Sequence, residues 1–273
     1  MVKGVRYVIT ENFTNMYRIF CISKYEILAE MKDSKLGIIW NFVSPTIQVI
    51  TFYLVFGLVM KHQNVQGIPY LPWVTVGLSV WWFIQPSIVK GCVAIFSKTD
   101  IIKRMKFPFS ILPMTVIMKE LFHHCCMLCI CFVVLLLFGI YPTVYWLGTL
   151  YYMLCAIALL EAIALITSVL TMLWRDVKKL ISALMRMLLY LSMVLFVEGF
   201  DSIQIFGIEV MNVFVKYNPV TYIVRGYRDC LLMEKSIFAH PNMMLYFWVL
   251  VGVMFCIGSF LMYKFKKKFI DMI

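Results

Sequence analysis

The stretch VYWLGTLYYMLCAIALLEAIALITSVLTML, from Val144 to Leu173, decides the fold class of this chain, because Glu161 is its only charged residue. A membrane-crossing α-helix needs about 20 mainly apolar residues. The whole chain agrees, with 63% hydrophobic and 14% charged residues, where soluble domains hold about 25% charged residues. A β-barrel would instead show short alternating segments. The sequence therefore predicts an all-α polytopic membrane protein.

Five further apolar runs flank this stretch and complete a set of six predicted transmembrane helices. The predicted spans are residues 38–60, 71–96, 112–140, 144–173, 180–197 and 243–263. Some exceed the roughly 20 residues that a bilayer requires, so we expect tilts, kinks or extensions beyond the hydrocarbon. The transmembrane domain then covers residues 36–263, followed by a basic cytoplasmic tail, 264–273.

The distribution of Lys and Arg sets the predicted orientation, because cytoplasmic loops carry an excess of cations. With the N-terminus inside, 17 Lys and Arg fall on the cytoplasmic side and 5 on the outer side. We therefore expect a multi-pass plasma-membrane protein with both termini in the cytoplasm. The net charge of +11 reflects this asymmetry, so the sequence gives no reason to expect a nucleic acid partner.

Residues 1–35 precede the first span and contain an amphipathic stretch. Phe13, Met16, Tyr17 and Phe20 recur at helical spacing on one face, and such a helix lies in the plane of the membrane interface. Two interpretations stay open. The helix is either a simple anchor in the membrane lipid or a collar packed on the bundle at the inner leaflet.

The cytoplasmic loop SKTDIIKRMKFP, residues 97–108, has the features of a short docking helix. Ser97 or Thr99 can cap it, and Asp100 is favourable near its positive end. Three apolar residues form a ridge among the cations: Ile101, Ile102 and Met105. A ridge of this size fits a groove on a partner protein. The alternative is a solvated basic loop.

The segment between the fifth and sixth predicted spans, 198–242, is the longest part of the chain outside the spans. Within it, YNPVTYIVRGYRDCLLMEK, residues 217–235, is compatible with a helix that begins after Pro219. It is too short and too charged to cross a bilayer. We expect a re-entrant or interfacial helix at the outer face, covered by protein or lining a water-filled cavity.

Several motifs, in this order, resemble one known family. They are LGIIWNFVSPTIQVITFYLVFGL (36–58), PYLPWVTVGLSVWWFI (69–84), KGCVAIFSKTDIIKRMKFPFSILP (90–113), LWRDVKKLISALMRMLLYLS (173–192) and KYNPVTYIVRGYRDCLL (216–232). The chain resembles the permease subunit of ABC-2 type polysaccharide exporters, and most of all the wall teichoic acid export permease of Gram-positive bacteria. Sister permeases export O-antigen or capsular chains, which is the alternative. The chain departs from many relatives at LSMVLFVEG (191–199), which lacks their Ser-Pro, so the resemblance does not fix the outer gate.

The resemblance implies a half-transporter. Two copies form the membrane pore as a homodimer, and two separate ABC ATPase subunits bind ATP and Mg²⁺ and drive export of an undecaprenyl-pyrophosphate-linked polymer. This chain has no G-x-x-x-x-G-K-[ST] loop, so it needs no cofactor of its own and is not itself an enzyme. The family's coupling helix, which sits in a groove of the ATPase, corresponds to residues 97–107. Its matching residues are Ser97, Thr99, Asp100, Ile101, Ile102, Lys103, Arg104, Met105 and Lys106.

A sliding sugar or polyol-phosphate polymer needs a path that tolerates any register, and aromatic faces supply one. Candidate path residues are Phe52, Tyr53, Phe56, Trp73, Trp81, Trp82 and Phe83, with Lys119 and Arg186 as possible phosphate contacts. Aromatic belts facing lipid are the alternative for the rings. Internal salt bridges are the alternative for Lys119, Arg186 and the intramembrane Glu120 and Glu161.

Cations near the inner leaflet are candidates for the pyrophosphate of a lipid carrier. They are Lys24, Lys32, Lys35 and Arg175. Arg175 is followed by Asp176, so a structural Arg–Asp pair is the alternative for that residue. Charge-assisted bonds from Lys or Arg are the usual protein contacts to phosphate groups.

The stretch HHCCMLCIC, residues 123–131, suggests a metal site at first sight. A tetrahedral site needs four converging ligands, and adjacent residues on one helix cannot surround an ion. Cys92 or Cys155 would have to contribute from other spans. We therefore expect no metal here, His123 and His124 as polar contacts between helices or in a pore, and Cys as a small packing residue.

Two rival functions make different demands on the sequence. A secondary transporter predicts inverted repeats and paired intramembrane carboxylates, and neither is clear in this chain. A membrane enzyme needs a clustered set of acid, base or nucleophile, for which Glu120, His123 and His124 are the nearest match. Neither rival explains the ordered motifs as well as the permease family does.

Overall fold

The computed structural model describes residues 1–32, 35–55, 64–65, 67–99, 108–192, 194–195 and 217–272, with only the backbone given for 64, 191 and 267–272. This part of the chain is mostly helical. Its α-helices are α1 (Val2–Thr14), α2 (Met16–Lys32), α3 (Trp40–Phe52), α4 (Tyr70–Gly91), α5 (Ile111–Leu137), α6 (Gly148–Leu173), α7 (Val177–Leu191), α8 (Pro219–Leu231) and α9 (Pro241–Met272). Short 3₁₀ turns lie at Gly37–Ile39, Phe96–Lys98 and Val144–Leu147, and the hairpin strands Asn64–Val65 and Ile68–Pro69 pair antiparallel.

Four helical segments of the described chain are long and apolar enough to cross a membrane: Gly37–Val55, Ile111–Leu137, Val144–Leu173 and Pro241–Lys266. They correspond to the first, third, fourth and sixth predicted spans, so the protein is a multi-pass membrane protein. The second and fifth predicted spans coincide with α4 and α7. The 15 residues of α7 are too few for a span by length alone, so the count of six stays a prediction.

Helix α4 is the centre of the bundle and packs on α5, α6, α7 and α8. Most of its residues are buried on every side, whereas spans that face lipid bury only one stripe. A helix surrounded by protein can carry Ser, Thr, Pro, Gln and Trp without exposing them to hydrocarbon. This setting explains why α4 is less apolar than the four candidate spans.

The N-terminal helices pack against the bundle, as the collar interpretation requires, but not through the predicted apolar stripe, because Phe13, Met16, Tyr17 and Phe20 are exposed. Helix α1 lies along α9 and α2 lies along α5. A Cβ on Gly4 would come within 2.8 Å of the Ser259 carbonyl oxygen, so a larger residue would separate α1 from α9. The Ser23 hydroxyl, buried in α2, donates to the Thr115 carbonyl of α5 at 2.8 Å.

Charged residues complete this attachment at the same end of the bundle. Glu26 of α2 pairs with Lys98 at 2.5 Å, and Ser110 donates a hydrogen bond to Glu11 of α1. The ammonium of Lys266 lies 4.3 Å from the ring centroid of Tyr7. Segments predicted to face the cytoplasm are therefore neighbours in space, although the tail predicted at 264–273 continues α9 as helix up to Met272.

Helix α5 ends in a Schellman motif that turns the chain sharply toward α6. Gly139 has a φ of +76°, a left-handed conformation that favours glycine. The Gly139 N–H donates to the Leu136 carbonyl at 3.1 Å, and the Ile140 N–H donates to the Leu135 carbonyl at 3.0 Å. These two bonds satisfy carbonyls that the helix end leaves without donors.

Helix α8 is the predicted segment after Pro219, and it lies inside the bundle against α4 and α6. The Asn218 side chain caps it by accepting from the Val220 N–H at 3.0 Å, and Pro219 occupies the first turn. Eleven consecutive or near-consecutive residues are buried, including Arg228 and Asp229. Its depth in a membrane, and thus its re-entrant character, stays a prediction.

Candidate functional site

A half-open cleft of about 440 Å³ lies between the end of α2, the first turns of α3, the second half of α4 and the middle of α5. This volume falls within the range of about 300–1,000 Å³ typical of small-molecule sites. The lining residues are Glu30, Trp40, Asn41, Ser44, Pro45, Gln48, Ser79, Trp82, Pro86, Lys90, Glu120, His123, His124 and Met127. The cleft therefore combines the side chains of Trp40 and Trp82 with polar and charged residues.

Two prolines shape the cleft walls. Pro45 lies inside α3 and Pro86 inside α4. A proline has no N–H to donate to the carbonyl four residues earlier. The carbonyls of Asn41 and Trp82 therefore lose their helix donors, and both residues line the cleft.

The charged side chains around the cleft are paired with one another. Lys90 of α4 binds Glu120 of α5 at 2.8 Å, and Glu120 is buried except for 3% of its surface. Glu30 of α2 binds Lys119 at 2.5 Å and lies 3.5 Å from His123. The cations and carboxylates therefore balance, and they tie α2 to α5 and α4 to α5.

His124 forms the floor of the cleft and connects three helices. Its Nδ1 lies 3.1 Å from the Ser79 carbonyl oxygen of α4, and its Nε2 lies 3.0 Å from the Tyr227 hydroxyl of α8. A carbonyl only accepts, so Nδ1 carries the proton and Nε2 accepts from Tyr227. The Phe83 ring stacks on the imidazole at 4.8 Å.

The aromatic residues predicted along a path divide into two groups. Trp82 lines the cleft, and Phe52 and Tyr53 lie half-buried at the far end of α3. In contrast, the core holds three others, with exposed fractions of 6% or less: Trp73, Trp81 and Phe83. Trp73 packs under the guanidinium of Arg228, 3.3 Å from its ring centroid. Phe56 lies outside the described residues.

The intramembrane charges also divide. Lys119 forms an internal salt bridge, which was the alternative to a phosphate contact, and its partner is Glu30. Arg186, on α7, is exposed and forms no ion pair with any described carboxylate. Glu161 is buried, and neither of its carboxylate oxygens has a hydrogen-bond partner in the described chain. Arg186 is thus the predicted charged path residue that keeps its head group available.

Only the first part of the predicted coupling helix can be located, since residues 100–107 lie outside the described chain. Those residues are Asp100, Ile101, Ile102, Lys103, Arg104, Met105 and Lys106, with the loop position 107. The Ser97 and Thr99 hydroxyls donate to the Ala94 and Phe96 carbonyls at 3.3 and 3.2 Å, and their capping of the predicted helix stays a prediction. Docking on a partner stays a prediction.

The cations predicted to meet a lipid pyrophosphate are all exposed on the described surface: Lys24, Lys32, Lys35 and Arg175. The Arg175–Asp176 pair offered as an alternative is wrong, because Asp176 pairs with Lys179 at 3.0 Å. The Arg175 guanidinium instead lies 5.2 Å from the Phe96 ring centroid. Contact with a lipid head group stays a prediction for all four residues.

The histidine and cysteine stretch spreads over several faces of α5. Cys126 and Cys131 are buried, whereas Cys125 and Cys129 are exposed. In the described chain, no three His, Cys, Asp or Glu side chains are close enough to hold a metal ion. The two histidines instead contact Glu30, Ser79 and Tyr227.

Sequence reasoning did not select Trp40, Asn41, Gln48 or Lys90 as site residues, although they line the cleft. The available signal was modest. Trp40 belongs to the LGIIW motif, and Pro45 and Pro86 interrupt apolar helices. Nothing in the linear sequence indicates that residues near 30, 44, 86 and 120 meet in space.

Comparison with known proteins gives a consistent family. The sequence profile of the ABC-2 type transporter family matches residues 17–232. The chain is 24% identical over 254 residues to the O-antigen export system permease protein RfbA of Klebsiella pneumoniae, covering 92% of this chain and 93% of that protein. It is 27% identical over 222 residues to the RfbA permease of Myxococcus xanthus, covering 81% and 82%.

Proposed function

Because this chain belongs to the ABC-2 type transporter family, we propose that it is the membrane permease of an ATP-driven exporter of a lipid-linked polysaccharide. The observation that carries the proposal is the match over most of the chain to permeases named for O-antigen export. Those names favour an O-antigen or capsular type of polysaccharide over teichoic acid. Export of lipid-linked teichoic acid is the second candidate, supported by the motif resemblance described above.

The permease works with partners, because the chain has no phosphate-binding loop of its own. Two ATPase subunits supply the energy, with ATP and Mg²⁺ bound in those subunits. Residues 97–107 are the proposed docking helix. Their charge pattern and the neighbouring Lys98–Glu26 pair support a rigid attachment of this loop to the bundle through α2.

A second copy of the chain completes the pore in this proposal. Two features of the single chain support a partner surface. The Gly37–Val55 segment buries only 6% of its most apolar window, and Arg186 is exposed on α7. A charged side chain on a transmembrane segment faces protein or a water-filled cavity instead of lipid. The two surfaces are therefore suited to line a pore between copies.

The cleft is the proposed first contact for the polymer. It lies beside the collar, at the end of the bundle where segments predicted to be cytoplasmic meet. A lipid-linked chain that arrives from the inner leaflet passes the exposed cations Lys24, Lys32, Lys35 and Arg175. Its first sugars then reach Trp40 and Trp82. Closure of the ATPases moves the docking helix, and the bundle passes the chain outward.

Co-purification with the ATPase of the same system tests this proposal. We expect the wild-type permease to form a stable complex with ATPase activity, and the charge-reversed variant K103E/R104E/K106E to lose assembly or coupling. The matched control reverses three cations of the tail, K264E/K267E/K268E, and retains both. A wild-type chain that recruits no ATPase but still moves polymer into liposomes would contradict the proposal.

A further inference from the structure

The first N-terminal helix, α1, presents an outward face that no other part of the described chain covers. Val2, Arg6, Ile9 and Phe13 recur on this face at helical spacing, and Lys3 lies beside them. All five side chains are exposed. We propose that this α1 face binds the head groups of anionic phospholipids in the adjacent leaflet. The inference concerns the lipid around the protein, so it goes beyond the proposed function and does not depend on it.

The apolar side chains of the α1 face are suited to lipid. Val2 is 83% exposed, Phe13 72% and Ile9 42%. An amphipathic helix of this kind buries its apolar residues at the boundary between head groups and acyl chains. The strength of such binding depends on the apolar area buried and on attraction to anionic lipids. The cations on the same face therefore determine which lipid is preferred.

Charge is sorted across α1. Its one acidic residue, Glu11, points into the bundle and accepts a hydrogen bond from the serine that precedes α5. Lys3 and Arg6 lie on the exposed side, and neither forms an ion pair with a carboxylate of the described chain. Lys266 of α9 adds a positive charge beside α1, with its ammonium 4.3 Å from the Tyr7 ring centroid. The α1 face is therefore positive, and a lipid phosphate is its complement.

Helix α2 repeats this arrangement. Its two acidic residues, Glu26 and Glu30, each lie 2.5 Å from a lysine ammonium outside the N-terminal helices. Two of its cations, Arg18 and Lys24, are exposed and pair with no carboxylate among the described residues. Both helices thus direct carboxylates toward protein and cations away from it. A partner that neutralises these cations has to be anionic.

The position of α1 indicates lipid as that partner. Its opposite face contacts α6 and α9, which both contain candidate membrane spans. A Cβ on Gly4 would come within 2.8 Å of the Ser259 carbonyl oxygen, and Val8 packs in a buried cluster with Leu165 and Met262. Lipid surrounds a membrane span wherever protein does not cover it. The side of α1 that points away from these two helices therefore borders the lipid next to them.

Native mass spectrometry of the full-length permease tests the proposal. The protein is released from detergent micelles after titration with phosphatidylglycerol, which is anionic, or with phosphatidylcholine of the same acyl chains, which is zwitterionic. The readout is the dissociation constant of each lipid. A Lys or Arg near an anionic surface contributes about fivefold in affinity, so two such residues predict about 25-fold tighter binding of phosphatidylglycerol.

Paired variants assign this preference to the α1 face. K3Q/R6Q should bind the two lipids equally, and the charge-conserving K3R/R6K should keep the wild-type preference. The matched control, K178Q/K179Q, removes two exposed cations at the start of α7 and should also keep it. All four positions are exposed, and size-exclusion chromatography confirms that each variant is folded and monodisperse.

A second pair of changes addresses the apolar part of the face. I9S/F13S should weaken both lipids by the same factor, because the apolar contact is shared by the two head groups. The preference for phosphatidylglycerol should stay, since Lys3 and Arg6 are unchanged.

Three outcomes would overturn the inference. They are equal affinity of the wild-type protein for the two lipids, an undiminished preference in K3Q/R6Q, and displacement of phosphatidylglycerol by an equal concentration of undecaprenyl pyrophosphate. The last result would make the α1 face a contact for the lipid carrier instead of a site for membrane phospholipid. None of these measurements requires an ATPase or a polymer, so a failed export assay leaves them interpretable.

Discussion

At the scale of single residues, the buried hydrogen bond between Tyr227 and His124 joins the cleft to α8. The variant Tyr227→Phe removes the donor and leaves the Nε2 acceptor buried without a partner. We expect it to lower the free energy of unfolding by about 1–3 kcal/mol. Thermal unfolding of the purified permease in detergent measures this loss.

The matched control is Tyr141→Phe, which removes the same atom from a side chain that is 71% exposed. It should leave the midpoint of unfolding unchanged. Equal midpoints for wild type and Tyr227→Phe would show that the bond contributes nothing, and His124 would then lack a role in connecting the helices.

Individual site residues show where sequence reasoning reaches its limit. Trp82 was predicted because it lies in an aromatic run. Its neighbours Trp73, Trp81 and Phe83 were predicted for the same reason, but they are core residues. Most residues around α4 are buried whichever way they point, so helical periodicity cannot distinguish the side that borders the cleft from the sides that border protein.

At the scale of elements, α8 fits the bundle only because it has glycine at a close approach. A Cβ on Gly226 would lie 2.1 Å from the nearest ring atom of Tyr152 in α6. We expect Gly226→Ala to destabilise the protein by about 1–3 kcal/mol through overpacking. The unfolding midpoint and the protease sensitivity of residues near α8 report the change.

Gly252 of α9 provides the comparison, because a Cβ there meets nothing within 4 Å. Gly252→Ala should raise stability by up to about 1 kcal/mol, since alanine favours the helix. Equal changes in stability for Gly226→Ala and Gly252→Ala would disprove the close packing of α8 on α6 at Gly226.

The elements themselves were largely predictable, and the reasons for the exceptions are physical. Long apolar runs identified four helices, and Asn218–Pro219 marked the start of α8. The depth to which α8 is buried was not predictable, because its Arg228 and Asp229 suggest exposure. Tertiary partners change that expectation: Arg228 donates to the Val194 carbonyl at 2.8 Å, and Asp229 pairs with Lys235 at 3.3 Å.

At the scale of the whole molecule, the topology is a direct prediction of the charge asymmetry. Alkaline phosphatase fused after residue 66, 142 or 238 should be active, because these positions are predicted to lie outside. Fusions after residue 107, 175 or 273 should be inactive, and fluorescent-protein fusions should show the opposite pattern. A reversed pattern at residues 107 and 175 would invert the orientation and remove the docking loop from the cytoplasm.

The cleft is formed by residues from four helices that are distant in the chain. The sequence did not reveal it for that reason. Its walls come from positions around 30, 41, 86 and 123, separated by up to about 90 residues in the chain. Internal salt bridges were an open alternative for Lys119 and Glu120, and the structure pairs these residues with Glu30 and Lys90. Only the three-dimensional structure shows that these charges hold helices together.

The burial of α8 inside the bundle also has a consequence for how the protein is made. Its 13 residues include a buried arginine and a buried aspartate, so insertion into the bilayer as an independent helix is unfavourable. It needs α4, α5 and α6 already assembled, since Trp73, His124 and Tyr152 provide its contacts. We therefore expect a late step in biogenesis, after membrane insertion, in which α8 packs between α4 and α6. A newly made chain that stalls before this step exposes polar groups that quality-control proteases can recognise.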